Sequence, residues 1–62
     1  GVEDLLGEVR DDRKREAVRC VLLDGYTLKE VANRLGVKTT TAFNLYHAGL
    51  QEIRERVADG GQ

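Results

Sequence analysis

The sequence predicts an all-α fold: a small three-to-four-helix domain that contains a helix-turn-helix and closes on a long C-terminal helix. Three observations carry this. Apolar residues recur at helical spacing through most of the 62 residues. A capping-box pattern, Thr27 to Glu30, opens a short helix that Gly36 cuts off before another begins. No proline is present, so glycines and capping side chains do all the punctuation.

Leu5, Leu6 and Val9 stand at helical spacing behind the acids Glu3 and Asp4, which suit a helix N-terminus. Gly7 costs up to about 1 kcal/mol in a helix interior, so residues 1–10 are expected to form a short helix or turn. Asp11 or Asp12 caps a second helix reaching about Leu23, with Ala17, Val18, Val21 and Leu22 as its apolar stripe. Asp24-Gly25 ends it, the glycine taking the left-handed conformation. Thr27 then caps a third helix carrying Leu28, Val31, Ala32 and Leu35, and Gly36 closes it after about two turns. The threonines at 39, 40 and 41 are candidate caps for a last helix with the stripe Ala42, Tyr46, Gly49, Leu50, Ile53 and Val57. One domain over residues 1–57 and a disordered tail over 58–62 are expected. The opening at Gly1 points to a piece of a longer protein or a trimmed chain.

Composition narrows the function. A walled catalytic cleft is hard to build from so few residues, and no nucleophile–base pair, paired carboxylates or phosphate-cradling glycine loop can be named. An enzyme is therefore not expected. A single cysteine excludes an intrachain disulfide and a thiolate metal cluster. Cys20, inside the run Val21-Leu22-Leu23, reads as a small buried hydrophobe. No cofactor or metal is expected, and His47 lacks ligand partners. With no membrane-length apolar run and no signal-peptide pattern, the expected location is cytoplasmic. Ten basic and eleven acidic residues leave a net charge of -1, without the basic excess usual in a dedicated nucleic-acid binder. Distribution over one face matters more than the sum.

A two-turn helix does not hold itself together in water and must pack on a neighbour. Small Ala32 lets another backbone approach, Gly36 permits the turn, and Val37 plugs the crevice. The result is a bracket that projects the N-terminal end of its second helix outward.

The run from Gly25 through Thr27-Leu28-Lys29-Glu30-Val31-Ala32 to Leu35-Gly36-Val37 resembles the helix-turn-helix of bacterial sigma factor region 4. Tyr46 to Glu55 is similar to that family's closing stretch, and Arg13 to Val18 to its leading helix. The likeness runs without gaps over roughly residues 10–57. LuxR-type output domains share much of the same pattern. The resemblance implies double-stranded DNA as partner, with RNA polymerase or another regulator protein beside it. It places Lys38, Thr39, Thr40, Thr41, Asn44 and His47 toward DNA, and Thr27 and Lys29 where phosphate is approached. Helix N-termini independently favour anions.

Positions 43 and 45, commonly basic or polar in the family, are Phe43 and Leu45 here. The reading helix carries no arginine, the commonest guanine contact. Asn44 pairing with adenine and threonines meeting thymine methyls would make an A·T-leaning reader. Phe43 has three readings: half-buried at the core edge, an exposed anchor for a protein, or a thymine-methyl contact. The basic run Arg13, Lys14, Arg15 and Arg19 is either a solvated face balanced by Asp11, Asp12 and Glu16, or a phosphate contact. The expected function is a sequence-specific DNA-binding module of a transcription regulator or sigma-like factor, with residues 39–47 in the major groove. The alternative is a protein-interaction module that binds a partner or itself through Phe43, Leu45 and the last helix. A homodimer across that helix would combine the two.

Overall fold

Capping side chains and two left-handed glycines set the helix boundaries. In the computed structural model, which describes residues 2–60, the helices are α1 (Val2–Leu6), α2 (Asp12–Leu22), α3 (Leu28–Leu35) and α4 (Thr39–Gly60). Asp11 caps α2, its carboxylate accepting from the amides of Arg13 at 2.9 Å and Lys14 at 3.1 Å. These charge-assisted bonds hold the Asp11 carboxyl below the usual carboxylate range, the Lys14 amide contributing most. Gly25 takes φ 72° after α2 and Gly36 takes φ 70° after α3, conformations that other residues adopt only with strain. At Gly36 the end is a Schellman motif: the Val37 amide donates to the Ala32 carbonyl at 2.9 Å, and the Gly36 amide to that of Asn33 at 3.4 Å.

One cap and one boundary differ from the sequence expectation. None of the threonines stands ahead of the last helix. All three lie inside α4, preceded by Lys38, whose carbonyl accepts from the Ala42 amide at 2.9 Å. Lys38 has no short side-chain acceptor with which to cap. At the other end the backbone stays helical through Gly60, over the first part of the stretch expected to be a disordered tail. Gly61 and Gln62, the remainder of that stretch, lie outside the described residues.

Two groups of buried side chains meet at Tyr46. Ala17 and Cys20 of α2, Val31 and Ala32 of α3, and Ala42 of α4 form the first, flanked by Val37 and Leu45. Leu6, Val9, Val18 and Ile53 form the second, flanked by Leu5 and Leu50. Tyr46 packs against both. Cys20 is buried as the sequence implies, and desolvation pushes its thiol pKa up, which leaves it unreactive. Leu22 and Val57 depart from the expected stripes. They are 46% and 52% exposed.

The tightest contact joins α2 to α4. A Cβ added at Gly49 would meet Val18 Cγ2 at 2.5 Å and the Lys14 carbonyl oxygen at 3.2 Å. Val18 is fully buried and β-branched, so it has no free rotamer to escape into. Around this crossing the charges pair locally: Lys14 with Glu52 at 3.2 Å, Arg56 with Glu8 at 3.4 Å, Arg15 with Asp12, and Arg19 with Glu16 and with Asp24 at 3.0 Å. Three of the four cations in the basic run are therefore committed to carboxylates, which favours the solvated-face reading over phosphate contact.

Alanine at an open helical site is more stable than glycine by about 1 kcal/mol. Here overpacking dominates, and Gly49→Ala is expected to destabilise the fold by roughly 1–2 kcal/mol, lowering the melting midpoint by about 5–10 °C. Thermal unfolding followed by far-ultraviolet circular dichroism checks this; an unchanged or raised midpoint contradicts the close crossing.

Candidate nucleic-acid interface

Successive residues of an α-helix turn by about 100°, so positions 40, 44, 47 and 51 share one face, opposite Ala42, Tyr46, Gly49 and Ile53. The inner four are buried or half-buried. The outer four, Thr40, Asn44, His47 and Gln51, are all exposed. They form a polar stripe about 16 Å long at 1.5 Å of rise per residue, with a hydroxyl, two amides and an imidazole as donors and acceptors. Thr39 and Thr41 are exposed on its two flanks, and Lys38 at its N-terminal end. The core under the first three turns is what points this stripe outward.

Every residue that the resemblance places toward DNA is exposed: Thr27, Lys29, Lys38, Thr39, Thr40, Thr41, Asn44 and His47. Only Thr40, Asn44 and His47 fall in one line. Gln51, one turn past His47, completes the line. It was legible in the sequence as the next step of the 4, 3, 4 spacing.

At the start of α3 the capping box is complete. The Glu30 amide donates to Thr27 Oγ1 at 3.2 Å, and the Thr27 amide donates to Glu30 Oε1 at 3.0 Å. The bonds from Thr27, the backbone amide first, lower the Glu30 pKa. A carboxylate thus already occupies this helix N-terminus. The Thr27 hydroxyl accepts in this box and keeps its own proton as a donor, while its amide is already engaged.

Glu30 is also the only acid between Gly25 and Gln51, a span that carries Lys29, Arg34 and Lys38. Arg34 is turned toward α2 and the turn. Its Nη1 donates to the Tyr26 hydroxyl at 3.4 Å, its guanidinium lies 5.5 Å from that ring's centroid, and its Nε is 3.9 Å from Glu16. Neither Lys29 nor Lys38 forms an ion pair among the described residues. The chain is acidic overall, yet its bracket is a locally basic edge with two unpaired lysines.

The two apolar departures part company. Leu45 is half-buried against the first core group, because it lies only about 60° from Ala42 around the helix. It is part of the packing and offers little surface to a partner. Phe43 is 47% exposed, and its ring sits on that of His47 with centroids 4.2 Å apart.

The family model for sigma-70, region 4 matches residues 11–55. That span takes in α2, α3 and most of α4, and leaves α1 outside. No curated protein and no solved structure matches the chain.

The capping box gives two expected outcomes. Thr27→Ala costs about 1 kcal/mol of stability, read as a lower urea midpoint. The lowered pKa values of Glu30, Glu16 and Asp11 add stability that is present above the unfolded-state carboxylate pKa and lost as pH falls through the folded-state value. The melting midpoint therefore drops as pH is taken below roughly 4. Glu30→Gln, which keeps the cap but cannot titrate, flattens part of that drop; an identical pH profile would contradict the assignment.

Proposed function

The chain belongs to the sigma-70 region 4 family, a family of DNA-binding helix-turn-helix modules that regulate transcription and not a class of enzymes, and from that premise we propose that the outer stripe of α4 reads duplex DNA in the major groove. The observation that carries this reading is the polar line Thr40, Asn44, His47 and Gln51, held rigidly outward by the opposite, buried face of the same helix. Asn44 has the donor–acceptor pair that matches adenine N6 and N7, and threonine methyls suit the thymine methyl. Lys29 and Lys38, free of carboxylates, supply the phosphate contacts that set orientation. Thr39 and Thr41 flank the stripe and meet sugar or phosphate. Thr27 offers its hydroxyl to the backbone at the start of α3.

With no arginine on the stripe, discrimination leans toward A·T pairs and the affinity of the isolated domain is modest. A second partner fits that weakness. Leu22 and Leu23 are adjacent, exposed and outside the DNA stripe. They offer a site for a protein such as RNA polymerase, which would add to a weak DNA contact.

Titration into a fluorescent random-sequence duplex pool at several salt concentrations tests the reading. Log affinity is expected to fall linearly with log salt, by about 0.9 per phosphate neutralised. Lys29→Ala and Lys38→Ala should each reduce that slope by roughly 1. Thr40→Glu, which puts a negative charge on the stripe, should abolish binding. Wild-type chain that fails to bind at low salt would overturn the proposal.

A further inference from the structure

One side chain of the outer stripe is held by aromatic neighbours. His47 is flanked by two rings of its own helix. Phe43, one turn earlier, stacks on it with centroids 4.2 Å apart and planes tilted by 39°. Tyr46 meets it edge-on, with centroids 5.5 Å apart and planes at 77°. The i, i+4 spacing brings the first pair together on the surface of α4, and the edge-on approach of Tyr46 is a geometry aromatic rings prefer. Tyr46 is itself wedged between the two core groups, so the cage is anchored to the fold. Gln51 has only the hydrogen bond its Nε2 donates to Glu55 Oε1 at 3.4 Å, and neither Thr40 nor Asn44 has a ring contact.

As a packing residue Phe43 is poor, with nearly half its surface open. Its ring is where an imidazole needs support. Resting on the DNA-binding reading of the stripe, we infer that Phe43 is a positioning residue for specificity: it holds the His47 imidazole so that a ring N–H donates to a purine N7 in the major groove. N7 is an acceptor in both adenine and guanine and is absent from the pyrimidine edge. The selection is therefore purine over pyrimidine at one base pair. Pre-set orientation reduces the ordering cost on binding and makes a single hydrogen bond discriminate.

The test uses the full chain in two measurements. In free protein, proton NMR reports the His47 ring protons, which the Phe43 ring current shifts upfield. Phe43→Leu keeps the apolar bulk and should remove that shift, while Phe43→Tyr should retain it. Selection from a randomised duplex pool then reads base preference. Wild type and Phe43→Tyr should show a roughly tenfold purine preference at one position. Phe43→Leu and His47→Ala should each lose it, and the double variant should lose no more than either alone. Affinity for random duplex and the melting midpoint should stay near wild type in Phe43→Leu.

A Phe43→Leu chain that keeps the preference, or that weakens on all sequences equally, overturns the positioning role while leaving the DNA-binding reading intact. Wild-type chain that binds no duplex overturns the DNA reading and this inference with it.

Discussion

The contact between α2 and α4 at Gly49 is the constraint from which the rest of the structure follows. With no Cβ at that position, the α4 backbone comes close enough to α2 for the buried Val18 side chain and the Lys14 carbonyl to fill the space. That proximity fixes which side of α4 faces inward. Ala42 and Ile53, on the same face as Gly49, are then buried against different neighbours, one beside α3 and one beside α1. Tyr46 joins the two groups. The outward direction of Thr40, Asn44 and His47 follows from the period of the helix once the inner face is fixed.

Charge is divided along the same lines. Carboxylates and cations away from the bracket are largely paired with each other, from Asp12 with Arg15 to Glu8 with Arg56. Exposed pairs of this kind contribute little to stability. They engage charges of the body with one another and leave Lys29 and Lys38 as unpaired positive charge on the bracket. A net charge of -1 is therefore compatible with a nucleic-acid edge.

Much of the fold was legible in the sequence because local signals and tertiary demands agree. Thr27 and Glu30 announce the third helix, and Gly25 and Gly36 mark the ends of two others with the left-handed conformations they adopt. The buried state of Cys20 followed from its apolar neighbours. What sequence could not supply was how far each stripe is covered. Leu22 and Val57 continue their helical patterns yet are exposed, and cover depends on where neighbouring helices lie, which periodicity does not carry. Leu45 read as a surface departure although it lies only about 60° from Ala42 of the expected stripe, and its packing against the first core group needed coordinates. The cap of α4 was misassigned because three successive threonines all resemble caps. The polar stripe was legible only in part: exposure of Thr40, Asn44 and His47 follows from spacing, whereas the stacking of Phe43 on His47 needed coordinates.

The central claim is that the N-terminal half of α4 is the nucleic-acid edge of the domain. Backbone amide chemical-shift mapping by NMR, with unlabelled duplex added to isotope-labelled protein at low salt, tests it most directly. The account predicts perturbations concentrated at Lys29, from Lys38 to Thr41, and at Asn44, His47 and Gln51, with little change in α1 or in α2. Perturbations centred on Leu22, Leu23 or the α1–α2 face, with the α4 stripe silent, would contradict it.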